Sequence, residues 1–381
     1  MREERVRGAL PAGTRIGRYR LEEALGDGAS GVVYVAECTA AAEDADGNVR
    51  TPAVGTRVAL KLIHTHLIKN KQVSRRFQRE ARLLSGLRGE HVVSLLDYGE
   101  LSDGRLYMAL ELAAGEPLDV VLKTGPLQVQ RAIGIATQIC AALDTAHQAG
   151  VVHRDLKPGN VMVADASGER PRVQVLDFGL AKLLRAEASQ SLSALTEQNM
   201  VFGTPEYMAP EQARGDEVDI RCDVYAVGIV LYEMLTGTVP FQASSAVSVM
   251  TSHLMDAPDP PSSRAPKANI PPAVEAVVLH ALAKEPAKRY PTAGALSEAL
   301  QRARQEPQNV AGTIPPPSDD TISQSDTDLA LPFAATQRIS VDQVFQSLPA
   351  PRRSSNFWWW IALVAALVGI AAGIFVSVVT E

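Results

Sequence analysis

His153-Arg154-Asp155-Leu156-Lys157-Pro158-Gly159-Asn160 is the stretch on which the reading of this chain turns. It puts a carboxylate, an ammonium and a carboxamide into one short segment. Asp155 can accept the proton of an attacking hydroxyl, Lys157 can offset charge on a phosphoryl group in transit, and Asn160 can hold a magnesium ion. Farther along, Asp177-Phe178-Gly179 supplies a second carboxylate for the metal. Each short motif alone could arise by chance. Their order and spacing together point to phosphoryl transfer onto a hydroxyl.

Working toward the N-terminus, Gly26-Asp27-Gly28-Ala29-Ser30-Gly31-Val32-Val33 carries GxGxxGxV spacing. A dinucleotide site has the same glycines but needs a helix after them, whereas Val32 to Val35 reads as a strand. Strand, glycine turn and strand make a flap whose amides can close over phosphates, because no Cβ keeps them away. Lys61, in Val58-Ala59-Leu60-Lys61, is placed to reach the α- and β-phosphates. Its expected anionic partner is Glu80, on a helix whose buried face is Phe77, Ala81, Leu84 and Leu87.

The rest of the chain sets the frame. With 381 residues, 46% hydrophobic and 21% charged, it can build two or three compact units with ordinary cores. A net charge of -6 gives no support for nucleic-acid binding. Cys38, Cys140 and Cys222 are far apart and form no CxxC pair or even-numbered framework, so a reducing compartment is expected and Cys140 reads as core. His64 and His66 form an HxH pair without a third ligand nearby, which makes a zinc site a weak reading. His147 and His153 read as structural.

Residues 1–18 are polar and are expected to be loose. Residues 19–112 read as strands around one helix, with an exposed insertion from Thr39 to Thr56, and residues 115–304 read as mainly helical. Ala132, Ile135, Ile139, Leu143 and Ala146 follow helical spacing toward Gly150, and Val224 to Leu235 is apolar almost all round, so that helix should be central. Between 305 and 356 fall seven prolines with Ser, Thr and Asp, the composition of a disordered linker. Residues 357–379 lack any charge, and at ~1.5 Å per residue they span roughly 35 Å, enough to cross a bilayer. Trp358 to Trp360 stand where interfacial aromatics sit, and the preceding Arg352 and Arg353 place residues before this helix in the cytoplasm, leaving residues 380–381 as an external tail. A single-pass protein of the cell membrane is expected.

These motifs together resemble the eukaryotic-like (Hanks-type) serine/threonine protein kinase family, specifically its bacterial transmembrane members. The resemblance covers about Tyr19 to Arg304 and runs on through Gly203-Thr204-Pro205-Glu206-Tyr207-Met208-Ala209-Pro210-Glu211-Gln212, Asp223-Val224-Tyr225-Ala226-Val227-Gly228 and Arg289. It implies an α+β, two-lobed fold: a β-rich N-lobe, a helical C-lobe, and ATP with magnesium, or manganese in its place, in the cleft. Nucleotide contacts are implied at Leu25, Gly26, Asp27, Gly28, Ala29, Ser30, Gly31, Val33, Ala59, Lys61, Glu111, Ala113 and Met162, with Leu110 beside the adenine; the backbones of Glu111 and Ala113 would bond its edge. The implied catalytic set is Asp155, Lys157, Lys61 and Glu80, with the metal on Asn160 and Asp177. Glu211 should pair with Arg289, and Asp223 should brace the His153–Asp155 turn.

Lys157 and Thr204 favour serine and threonine over tyrosine as acceptors. Arg154 would read phosphate on the segment holding Ser189, Ser191, Ser193 and Thr196, with Thr196 as the expected autophosphorylation site. The linker offers Thr313, Thr321, Ser323, Ser325, Thr327 and Ser340 to a phosphothreonine-reading partner, or is an inert spacer. Protein substrates, the membrane and a homodimer are the expected partners. Two rivals stand beside the catalytic reading: a pseudokinase scaffold, and a small-molecule phosphotransferase, against which the Gly203–Glu211 segment argues.

Overall fold

The computed structural model describes residues 9–28, 30–41, 51–68, 71–165, 171–178 and 204–305, all within the first of two compact units, Met1–Gly312. Antiparallel strands come first: β1 (Arg15–Ile16), β2 (Tyr19–Gly28), β3 (Gly31–Cys38), β4 (Arg57–Ile63), β5 (Leu95–Glu100) and β6 (Leu106–Glu111), in the sheet order β1-β2-β3-β4-β6-β5. Their burial alternates because successive side chains face opposite sides. Tyr34, Val58, Leu60 and Leu62 enter a small core with Tyr19, Leu21 and Ala109, while Val33 and Ala59 stay half-buried on the cleft side. The sheet begins earlier than the sequence suggests. Arg15 pairs with Arg20, and Ile16 is buried, so one apolar residue in a polar stretch is enough to add an edge strand.

Helix α1 (Lys71–Ser85) buries Val73, Phe77, Ala81 and Leu84, at the three- and four-residue steps of one helical face. Its core continues into the helical part of the molecule. There α2 (Leu118–Leu122), α3 (Val129–Gln148), α4 (Pro210–Arg214), α5 (Arg221–Thr236), α6 (Ala246–Met255), α7 (Pro261–Arg264), α8 (Pro272–Ala281) and α9 (Ala293–Gln305) follow, with a small sheet of β7 (Glu116–Pro117), β8 (Val161–Ala164) and β9 (Arg172–Val175). In α5 every residue from Cys222 to Leu235 except Glu233 is buried, as its all-round apolar sequence predicts. Gly237 ends it at φ 79°, a left-handed cap that other residues adopt only with strain. The architecture is therefore two-lobed, strand-rich then helical.

Among the described residues no helix is long and apolar enough to cross a membrane. The expected linker (305–356), spanning segment (357–379) and tail lie outside the described residues apart from Gln305, as do Ala29 and the segment 179–203 with Ser189, Ser191, Ser193 and Thr196.

Candidate active site

The C-lobe wall of the cleft is organised by one buried carboxylate. Asp223, in the first turn of α5, accepts through Oδ2 from the amide of His153 (2.8 Å) and from His147 Nε2 (2.8 Å), and through Oδ1 from the amide of Arg154 (2.8 Å). Burial alone would raise its pKa. The His147 hydrogen bond, the neighbouring imidazoles and the Arg154 amide outweigh that and hold it below the ordinary carboxylate value. These bonds also explain a strained backbone: Arg154 has φ 64°, and two fixed amides hold it there.

His153 extends the brace. Its Nδ1 accepts from the amide of Asp155 (3.3 Å), so the ring proton sits on Nε2, which donates to Leu176 O (2.8 Å). The Phe178 ring stands edge-on against it, with centroids 4.9 Å apart. Asn160 donates Nδ2 to Asp155 O (2.7 Å), and the amide of Leu176 donates to Asn160 O (2.8 Å). These bonds gather Asp155, Lys157 and Asn160 in one short loop and seat Leu176, next to Asp177, against it. Lys157 Nζ lies 3.3 Å from Asp155 Oδ2 and donates to Thr204 Oγ1 (3.1 Å).

The N-lobe wall departs from expectation. Lys61 lies opposite Val33 and Met108 in the sheet and is only 4% exposed. A buried ammonium needs an anion. Glu80 is not the one it has: Lys61 Nζ pairs with Asp177 Oδ2 at 2.6 Å. Asp177, at φ 56°, turns its carboxylate toward the lysine and so takes the place expected for Glu80, which remains half-buried on α1. The sequence sets all three residues near one another but does not rank two carboxylates competing for one cation.

Most of the other expected nucleotide contacts lie on β2, β3, β4, β6 and β8. β2 and β3 pair to their ends, Gly28 opposite Gly31 and Asp27 opposite Val32, so the glycine segment is a strand-turn-strand flap. Val33, Ala59, Leu110 and Met162 are half-buried, and Leu25 is 53% exposed. The amide of Glu111 is already committed to Ser94 O (2.9 Å).

Asn160 and Asp177 offer a cation one carboxamide oxygen and one carboxylate. Because Asn160 spends its NH2 on Asp155 O, the opposite end of that amide is the oxygen, and hard oxygen donors of this type suit magnesium. No group of three or more His, Cys, Asp or Glu among the described residues is placed to hold a metal, so the HxH pair gains no third ligand.

Beyond the catalytic loop, Tyr207 OH donates to Glu233 Oε2 (2.6 Å), and Glu211 meets Arg289 through two 2.7 Å bonds. Arg289 gives its remaining N–H groups to the carbonyls of Arg221, Lys284 and Ala283, so all five donors are used. Gln212 Nε2 donates to Arg154 O (2.9 Å), a link between α4 and the catalytic turn that residue identity alone does not signal. His253 is wholly buried against Tyr225 OH (2.8 Å) and Phe241; burial, then the charge of Lys284, pushes its pKa down to about 4.

Comparison with known proteins adds independent support. The family model described as protein kinase domain matches residues 19–301. The chain is 42% identical over 290 residues to serine/threonine-protein kinase pkn3 of Myxococcus xanthus, covering 76% of this chain and 50% of that protein. It is 34% identical over 372 residues to serine/threonine-protein kinase PknB of Mycolicibacterium smegmatis, covering 95% of this chain and 54% of that protein. The chain thus spans about half the length of these curated relatives. The crystal structure of the Mycobacterium tuberculosis PknI kinase domain is similar at TM-score 0.58 and 26% identity, covering 77% of this chain and 100% of that one.

Proposed function

The chain belongs to the protein kinase family, in its bacterial serine/threonine branch, and from that premise we propose that it moves the γ-phosphoryl group of ATP to serine or threonine hydroxyls of proteins. The observation that carries the reading is the gathering of Asp155, Lys157, Asn160, Asp177 and Lys61 around one cleft.

In the proposed step the substrate hydroxyl oxygen bonds to the γ-phosphorus and the bond to the β-bridging oxygen breaks, releasing ADP. Asp155 takes the hydroxyl proton, and its geometry relative to the acceptor is fixed through Asp223 and His153. Lys157, between Asp155 and Thr204, offsets charge on the transferring group. Magnesium, when bound at Asn160 and Asp177, neutralises phosphate charge. For Lys61 to serve the α- and β-phosphates and Asp177 to serve the metal, their mutual pair must open, and Glu80 is the carboxylate that then balances Lys61.

Arg154 Nε is buried without a hydrogen-bond partner among the described residues, which suits a reader of phosphate on Thr196. The uncharged run 357–379 behind Arg352 and Arg353 supports single-pass attachment to the cell membrane with the kinase domain in the cytoplasm.

Incubation of the full chain with γ-labelled ATP and a generic basic protein tests the reading. Label is expected on phosphoserine and phosphothreonine, falling at least about 10²-fold in Asp155→Asn. Equal labelling by the variant would favour the scaffold reading, and label on phosphotyrosine would contradict the acceptor class.

A further inference from the structure

His64 follows directly on β4, three residues beyond Lys61, and nothing in the phosphoryl-transfer chemistry uses it. Its contacts are nevertheless concentrated on the tip of the glycine flap. Its amide donates to Ser30 O (3.2 Å), and its Nε2 lies 3.1 Å from Gly28 O and 2.9 Å from Asp27 Oδ1. A carbonyl and a carboxylate oxygen only accept, so Nε2 must carry the proton and donate. One residue therefore grips oxygens on both sides of the flap turn, Gly28 O with its side chain and Ser30 O with its backbone.

Two further observations make this a built contact. The His66 ring stacks on the His64 ring, centroids 5.3 Å apart and planes 22° from parallel, which limits its swing. The second flap strand is also pressed onto β4 at the same level: a Cβ on Gly31 would stand 2.2 Å from Leu62 O. Leu62 and His64 thus seat the flap on the strand that carries Lys61.

Asp27 gives the contact a chemical purpose. A carboxylate at the rim of a polyphosphate site repels the ligand, and a donor that holds it in one place keeps it from turning into the phosphates' path. We propose that His64 is a positioning residue for the phosphate flap, fixing the height of the Gly28–Ser30 turn relative to Lys61 and tying Asp27 back so that ATP phosphates can enter. This rests on the ATP site proposed above. It assigns His64 to phosphate binding alone, since its hydrogen bonds go to Asp27, Gly28 and Ser30 on the glycine flap and not to Val33, Ala59 or Met162.

The test compares ATP with adenosine, which lacks phosphates, on the full chain. Losing a half-exposed hydrogen bond of this kind is expected to raise KM for ATP about threefold to tenfold in His64→Ala, with kcat within about twofold. The inhibition constant of adenosine should not move. His64→Gln, whose amide can donate at similar reach, should restore KM for ATP to within about twofold of the parent. Unchanged KM for ATP in His64→Ala would overturn the assignment, as would an equal loss of ATP and adenosine, which marks general damage to the lobe. If the unsubstituted chain binds adenosine but ATP no better, the phosphate flap and His64's role in it fall together. If it binds neither, the ATP site itself is wrong.

Discussion

The two walls of the cleft are held by different means. On the C-lobe side Asp223 is fully buried and fixes His153, Arg154 and His147 through three bonds of 2.8 Å. On the N-lobe side the deciding contact is one ion pair, Lys61 to Asp177, between two groups to which the proposed function gives separate tasks. The difference teaches where each wall's order comes from. In the proposed reaction the base, Asp155, is positioned by packing and hydrogen bonds that stand in the folded chain, whereas the proposed phosphate side exchanges partners to work.

The sharpest way to break this contrast is to attack the C-lobe frame. Arg289→Met leaves Glu211, 3% exposed, without its bidentate partner, and should cost about 3–5 kcal/mol in urea unfolding. Adding Glu211→Gln should return part of that loss, because the uncompensated charge is gone. A cost below about 1 kcal/mol for the single variant would show that the pair is not structural.

The same frame predicts a pH dependence. His253 is kept neutral by burial, with its pKa near 4 in the folded chain against an ordinary 6.5. The unfolded chain therefore takes up this proton first as pH falls. The stabilisation is complete above about pH 6.5 and drains away toward about pH 4, by on the order of 3 kcal/mol. Melting curves across that range should be steeper for the parent than for His253→Gln; parallel curves would reject the assignment.

On the N-lobe side the signature is reversed. Because Lys61 already holds Asp177, Glu80→Gln should change unfolding free energy by less than about 0.5 kcal/mol, yet lower phosphoryl transfer by about 10²-fold. A large stability loss with unchanged transfer would invert the comparison. The exposed Arg57–Glu22 pair should matter little to either readout: Arg57→Ala is expected to cost under about 0.5 kcal/mol by the same unfolding measurement, with phosphoryl transfer unchanged.

Much of this was legible in the residues themselves. The order and spacing of Asp155, Asn160 and Asp177 point to one shared site, and the Asn160–Asp155 and Leu176–Asn160 bonds bring them to it; the burial of α5 follows from its apolar run. The Asp223 brace and the Glu211–Arg289 pair follow from the resemblance. Two pairings were not legible, for one physical reason: choices among groups distant in sequence depend on ångström-level placement. Lys61 is expected on Glu80 and is found on Asp177, whose backbone stands at φ 56°. The HxH spacing of His64 and His66 gives only a weak metal reading, and the partners His64 has are flap oxygens that sequence spacing does not reveal. The early start of the sheet at Arg15 was hidden by polar neighbours around a single buried Ile16.

The account is tested most directly by a crystal structure of the chain with a non-hydrolysable ATP analogue and magnesium. It predicts Lys61 Nζ within about 4 Å of the Glu80 carboxylate, Asp177 turned to the metal, and the bonds of Asp223 to His153 and Arg154 unchanged. Lys61 still on Asp177 at 2.6 Å beside bound nucleotide, with the Asp223 bonds broken instead, would contradict it.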